Sequence, residues 1–126
     1  MLTKSRVASM VEERDGRLLI DRAIYFDPEI YAAELERFFE GGWVFLCHES
    51  QIARPGDYYA TKMGRQPVFL VRKKGDEGKP GGIGGYINAC AHRGASLVPF
   101  EHGRASAFTC RFHGWVFNAE GKCFKI

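Results

Sequence analysis

Several features that would assign this 126-residue chain to a common functional class are missing from its sequence. It has neither an apolar run long enough to cross a bilayer nor the apolar core of a secretory signal, which predicts a cytoplasmic protein with no membrane partner. The net charge is only +3 and there is no dense basic stripe, so nucleic acid is not an expected partner. Gly78-Lys79 is followed by Pro80 rather than Ser or Thr, which argues against a phosphate-binding loop.

Cysteine and histidine are scarce, with four of each, but half of them fall into two short boxes. The first box is Cys90-Ala91-His92-Arg93-Gly94, and the second is Cys110-Arg111-Phe112-His113-Gly114-Trp115. Each box offers one thiolate and one imidazole on a tight loop, and residues 93–109 leave enough chain for the boxes to converge in a small β fold. The candidate metal ligands are therefore Cys90, His92, Cys110 and His113.

This ligand set suits two kinds of metal site. Two thiolates and two imidazoles can hold one tetrahedral Zn²⁺, or a [2Fe–2S] cluster in which two histidines replace two cysteines on one iron. Common zinc sites keep both cysteines on one turn and both histidines on another, whereas each box here mixes the two. Mixing favours the cluster, with a cysteine from each loop on the inner iron and a histidine from each on the outer iron. A zinc-stabilised binding module is the alternative.

The glycines that follow the histidines support the same interpretation. Gly94 and Gly114 let the backbone turn tightly and bring N–H groups close to sulfur, and hydrogen bonds to the sulfurs tune the potential of such a cluster. The other cysteines, Cys47 and Cys123, are expected to pack in apolar surroundings, which fits a reducing compartment.

The sequence predicts a mostly β, antiparallel fold with an N-terminal arm and one helix in residues 1–42 and the metal-binding domain in residues 43–126. Asp27-Pro28-Glu29 is a helix start with Asp as N-cap. An aromatic stripe on one face of this helix predicts packing of the arm onto its own or a neighbouring subunit: Tyr31, Leu35, Phe38 and Phe39. Residues 75–85 are predicted as a hairpin loop, and strands are predicted at 43–47 (buried), 58–62, 68–73, 86–88, 108–109, 115–117 and 122–126.

The two boxes resemble, position by position, those of Rieske non-haem iron oxygenases, the large (alpha) subunits of aromatic-ring-hydroxylating dioxygenases. The resemblance extends through residues 43–51, 56–59 and 63–68, which look most like the branch acting on aromatic carboxylates such as benzoate and anthranilate. Respiratory-chain Rieske proteins carry an extra cysteine in each box, where this chain has Ala95 and Phe112. The resemblance therefore implies the oxygenase type, with a Rieske-type [2Fe–2S] fold that is incomplete at its C-terminal end.

The resemblance also implies a function in electron transfer for aromatic hydrocarbon catabolism. The Rieske domain of these dioxygenases receives electrons that a reductase takes from NADH, and it passes them to a mononuclear Fe(II) that oxidises the aromatic substrate. The implied partners are an NADH-dependent reductase, a small beta subunit and neighbouring alpha subunits. A stand-alone Rieske ferredoxin, an electron carrier without catalysis, is the second alternative.

The mononuclear iron site of that family needs two histidines and a carboxylate. Outside the boxes only His48 and His102 remain, and they lack the helical spacing of a metal pair, so we expect them to be ordinary surface histidines. We therefore expect this chain to be the N-terminal portion of a large subunit, without the catalytic domain and inactive by itself. The arginines that could form a basic collar for a reductase are Arg93, Arg104 and Arg111.

Overall fold

A computed structural model of the chain describes residues 2–76 and 81–126. These residues group into two compact units, Met1–Val44 and Phe45–Ile126. In the part of the chain so described, no helix is both long and apolar enough to cross a membrane. Gly78, Lys79 and Pro80, where the sequence argues against phosphate binding, lie outside the described residues.

The first unit consists of short helices around one hairpin. Asp15 and Gly16 both adopt positive φ, which gives the hairpin a two-residue Asp-Gly turn of the kind that suits paired strands. The elements in chain order are α1 (Lys4–Ala8), β1 (Val11–Arg14), β2 (Arg17–Ile20), a 3₁₀ turn (Arg22–Tyr25), α2 (Pro28–Glu34) and a π-helical turn (Leu35–Phe39).

Helix α2 begins where the sequence predicts. The Asp27 carboxylate accepts hydrogen bonds from the backbone N–H groups of Glu29 (2.8 Å) and Ile30 (3.2 Å), and Pro28 occupies the first turn. The Arg6 guanidinium forms ion pairs with the carboxylates of Asp27 and Glu29. The start of α2 is thus fixed both by its own cap and by a cation from α1.

The aromatic stripe does not pack in a core of the first unit, and its predicted packing onto a neighbouring subunit stays a prediction. Tyr31, Phe38 and Phe39 are exposed, and Ile30 is the buried residue of α2. Beyond Tyr31 a π-helical turn interrupts the regular period, and in it the Glu40 N–H donates to the Leu35 carbonyl five residues earlier (2.9 Å). A π turn inserts an extra residue, so the side chains that follow leave the face that a 3.6-residue period assigns to them.

The predicted buried strand at residues 43–47 is also absent. Residues 43–48 are irregular, and Trp43 and Phe45 are exposed. An apolar run becomes a strand only when another strand pairs with its backbone, and within the described residues no sheet includes this segment. Cys47 is half-buried, and this burial raises the pKa of its thiol.

The second unit contains two antiparallel sheets, which confirms the predicted fold class. The first has the order β5-β4-β3-β6 and the second the order β7-β8-β9. Their strands are β3 (Asp57–Met63), β4 (Gln66–Arg72), β5 (Ile83–Ile87), β6 (His102–Arg104), β7 (Ala107–Thr109), β8 (Val116–Asn118) and β9 (Cys123–Lys125).

Two details of these sheets depart from the sequence prediction. Strand β5 begins at Ile83, within the predicted loop, because Gly84 and Gly85 pair with β4 despite their poor strand propensity. Strand β6 has the polar sequence His-Gly-Arg and no apolar period, so its pairing with β3 could not be recognised from the sequence. The core of this unit consists of Tyr58, Phe69, Val71, Cys90, Val98, Phe108, Cys110 and Phe117.

One arginine is buried among these elements. Arg72 is 6% exposed, and its guanidinium donates to the carbonyls of Ile52 (2.9 Å) and Gly81 (3.0 Å) and to the Glu49 carboxylate (2.9 Å). The Glu49 side chain is 75% exposed. The two carbonyl bonds therefore matter more for folding than the ion pair, which water screens.

We expect Arg72→Met to lower the free energy of unfolding by about 2–4 kcal/mol, because it leaves buried carbonyls without donors. Glu49→Gln should change it by less than about 1 kcal/mol, because the ion pair it removes is largely exposed. Urea denaturation of both variants measures the difference. Equal losses would contradict the assignment of Arg72 to backbone anchoring.

Candidate metal centre

The two boxes fold into the same type of loop. In each box the cysteine carbonyl accepts a hydrogen bond from the N–H four residues later, and the cysteine N–H donates to the carbonyl five residues later. The bonds run from Gly94 N to Cys90 O (2.8 Å), from Cys90 N to Ala95 O (2.7 Å), from Gly114 N to Cys110 O (3.0 Å) and from Cys110 N to Trp115 O (2.8 Å).

The glycine of each loop is required by backbone conformation. Gly94 has φ = 74° and Gly114 has φ = 77°, in the left-handed region that favours glycine. A Cβ atom at either position would meet no atom within 4 Å, so space is not the constraint. The predicted role of these glycines as tight turns is therefore confirmed.

The two cysteines point into the core. Cys90 and Cys110 are each 3% exposed and belong to the core of the second unit. The side chain of Cys90 is within hydrogen-bonding reach of the Cys110 sulfur. The loops thus bring the two thiols together in a dry, apolar environment.

The backbone around Cys110 favours a thiolate. A hydrogen bond from the Phe112 N–H lowers the pKa of the Cys110 thiol; burial opposes this shift, while the His113 N–H and the Cys90 side chain add to it. A thiolate, not a thiol, is the form that binds metal. The N–H groups that the sequence predicts near sulfur are therefore present at this cysteine.

The two histidines form a second, separate pair at the surface. The His92 and His113 rings are exposed, with their centroids 4.8 Å apart and their planes at 77°. No group of three or more His, Cys, Asp or Glu side chains is placed to hold a single metal ion, as far as the described residues extend.

An inner thiol pair and an outer imidazole pair fit a [2Fe–2S] cluster with cysteines on one iron and histidines on the other. One tetrahedral zinc would need all four donors around a single point. Across the two loops, cysteine thus lies near cysteine and histidine near histidine, and the assignment of these four residues as metal ligands stays a prediction.

Asn88 positions the first loop, a role that the sequence pattern does not predict. Its side-chain oxygen accepts from the N–H groups of Leu97 (3.1 Å) and Val98 (2.9 Å), and its amide donates to the Val98 carbonyl (2.8 Å). These bonds tie the chain before Cys90 to the chain after the box. One feature of the sequence could have indicated this role: Asn88 is a polar residue at the end of a predicted strand, two positions before the candidate ligand Cys90.

The other candidates lie apart from the four donors. His48 caps the 3₁₀ turn Glu49–Ile52, and His102 pairs with Glu101. Arg104 donates to the Asp57 carboxylate (2.6 Å), and this bond lowers the pKa of Asp57.

Of the three arginines predicted to form a basic collar for a reductase, the two in the boxes remain as candidates. Arg93 and Arg111 are exposed and form no ion pair with any residue in the described ranges.

Comparisons with known proteins agree with this geometry. A family model described as the Rieske [2Fe-2S] domain matches residues 42–126. Toluate 1,2-dioxygenase subunit alpha of Pseudomonas putida is 43% identical over 95% of this chain and 26% of its own length. The large subunit of 2-halobenzoate 1,2-dioxygenase of Burkholderia cepacia is 44% identical over 88% of this chain and 23% of its own length.

The solved structures show the same fold. Naphthalene 1,2-dioxygenase from Rhodococcus sp., bound to indole, superposes with a TM-score of 0.75 at 39% identity, covering 85% of this chain and 23% of that one. This chain therefore spans about a quarter of the length of the curated relatives it matches.

We expect Gly94→Ala and Gly114→Ala each to destabilise the fold by about 1–2 kcal/mol, the cost of placing an L-residue in the left-handed region. Gly82→Ala is the matched control, because Gly82 lacks positive φ and a Cβ there also meets no neighbour. That control should be neutral or slightly stabilising. Thermal unfolding of the three variants measures the change in stability. An equal loss of stability in Gly82→Ala would contradict the requirement for a left-handed conformation at Gly94 and Gly114.

Proposed function

The chain belongs to the Rieske [2Fe–2S] domain family, and we propose that Cys90, His92, Cys110 and His113 hold its cluster. The observation that carries this assignment is the division of the donors into a buried thiol pair and an exposed imidazole pair. We propose further that the domain receives electrons for an aromatic-ring-hydroxylating dioxygenase large subunit.

The cluster supplies one-electron transfer, without an open coordination position for oxygen or substrate. The core around Cys90 and Cys110 excludes water from the sulfur side. N–H groups of Phe112 and His113 stabilise negative charge at the Cys110 sulfur. The exposed imidazole rings of His92 and His113 are the edge through which electrons pass to and from a partner.

Ring oxidation is proposed for the part of the large subunit outside this chain. The toluate dioxygenase alpha subunit is about four times as long as the segment it shares with this chain, which leaves room there for a mononuclear iron site. On this proposal the chain is a component of an oxidoreductase and does not oxidise the substrate by itself.

We propose an aromatic carboxylate as the substrate class of the whole enzyme. Two of the related proteins are named for toluate and 2-halobenzoate, both aromatic carboxylates, and they are 43% and 44% identical to this chain. The naphthalene dioxygenase, named for a hydrocarbon without a carboxylate, is 39% identical.

The proposed partners are an NADH-dependent reductase, a small beta subunit and neighbouring alpha subunits. Arg93 and Arg111 are exposed cations beside the imidazole pair, where they would attract an acidic reductase surface. We propose a cytoplasmic location, since none of the four cysteines forms a disulfide, as is usual in a reducing compartment. The proposed domain limits are residues 1–42 for the arm and 43–126 for the Rieske domain.

The cluster assignment predicts a specific EPR result. The purified chain reduced with dithionite should give a rhombic signal with an average g of about 1.9, as expected for mixed histidine and cysteine ligation. Cys90→Ser should abolish this signal, whereas Cys123→Ser should retain it, because Cys123 lies in β9 and outside the boxes. A colourless protein that binds one zinc per chain would contradict the assignment.

The substrate proposal is tested with the complete oxygenase that contains this chain, supplied with NADH and its reductase. We expect benzoate or toluate to be dihydroxylated about tenfold faster than naphthalene or more, measured as product formed per minute at saturating NADH. Faster turnover of naphthalene would overturn the carboxylate proposal. That result would leave the cluster assignment intact.

A further inference from the structure

One aromatic side chain of the second box contacts the histidine of the first. The Trp115 indole stacks on the His92 imidazole with ring centroids 4.8 Å apart and planes only 13° apart. This near-parallel contact crosses from one loop to the other. The His92–His113 contact, by comparison, is edge-to-face at 77°.

Trp115 is held more firmly than the ring it contacts. Its side chain is half-buried and packs against the core of the second unit, and its carbonyl accepts a hydrogen bond from the Cys110 N–H (2.8 Å). His92 is exposed. A rigid indole against an exposed imidazole restricts rotation of the imidazole plane, because tilting the ring breaks the stack.

We propose that Trp115 is a positioning residue that sets the orientation of the His92 imidazole at the cluster. This inference rests on the proposed function, in which His92 is an iron ligand. Ring orientation determines how the ligand nitrogen overlaps with iron, so it affects the distribution of the unpaired electron over the two histidines. A neighbour that orients a histidine ligand in this way tunes the metal without touching it.

The stack also shields one face of His92 from water. Reduction adds negative charge to the cluster, and water stabilises that charge better than an indole does. Removing the indole should therefore raise the reduction potential. This effect has a definite sign, which a residue that merely fills core volume does not predict.

The second histidine provides a matched control. Phe112 is 76% exposed and lies beside His113 at 5.8 Å with a plane angle of 52°, so the two rings do not stack. Phe112 and Trp115 are both aromatic and both in the second box, but only Trp115 packs against the core. Replacing Phe112 by leucine removes only the ring and keeps the backbone N–H that donates to the Cys110 sulfur, so it should leave the orientation of the histidines unchanged.

The experiment compares the whole chain, loaded with iron and sulfide, as wild type, Trp115→Leu, Trp115→Phe and Phe112→Leu. Pulsed EPR of the dithionite-reduced proteins, with ¹⁵N-labelled histidine, resolves the nitrogen couplings of the two ligands, and a redox titration gives the potential. We expect Trp115→Leu to broaden the couplings of one histidine and raise the potential. Trp115→Phe should do both to a smaller degree, and Phe112→Leu should match wild type.

Wild-type couplings and potential in Trp115→Leu would overturn the inference. If Trp115→Leu does not retain a cluster, Trp115→Phe decides: couplings and a potential identical to wild type would equally overturn it. A rhombic signal that is missing already from the wild-type protein would instead refute the proposed function. The two failures are therefore distinguishable.

Discussion

The placement of two thiols inside the core and two imidazoles at its surface is the constraint on which the rest of this structure depends. Cys90 and Cys110 are as buried as the aromatic residues around them, whereas His92 and His113 are exposed. A mononuclear site needs no such division, but a dinuclear cluster with different ligands on its two irons does. The fold thereby gives the proposed cluster site a buried thiol pair on one side and an exposed imidazole pair on the other.

The division arises from two loops with the same backbone hydrogen bonds. In each loop the carbonyl and the N–H of the cysteine form hydrogen bonds with backbone groups four and five residues later. Each loop also needs a glycine in the left-handed conformation, Gly94 or Gly114. The histidine comes two residues after the cysteine in the first loop and three residues after it in the second. The Asn88 side chain closes the first loop through its hydrogen bonds to Val98.

Features determined by local chemistry were predictable from the sequence. The N-cap at Asp27 and the mixed Cys/His boxes each follow from a few adjacent residues. Features that need a distant partner were not: residues 43–47 have no pairing strand within the described ranges, and β6 has a polar sequence without the apolar period that would predict a strand. The π-helical turn interrupts the regular period from which the aromatic stripe was predicted.

The same distinction applies to the candidate site. The four donors could be named because thiolate and imidazole chemistry leaves few alternatives, and their spacing indicated convergence. The stacking of Trp115 on His92 joins residues from different boxes, so it depends on how the loops meet and has no signature in the sequence. Likewise, the ion pair between Arg104 and Asp57 removes one arginine from the predicted collar, although the three arginines look alike in sequence.

Mössbauer spectroscopy of the ⁵⁷Fe-loaded chain tests the central claim most directly, because it reports each iron separately. We predict two quadrupole doublets of equal area in the oxidised protein. One comes from a ferric iron with sulfur ligands alone, and the other from a ferric iron with sulfur and nitrogen ligands. On reduction, the added electron should reside on the nitrogen-ligated iron at the exposed side. Two equivalent iron sites, or a protein that takes up no iron, would contradict the division between a buried thiolate pair and an exposed imidazole pair.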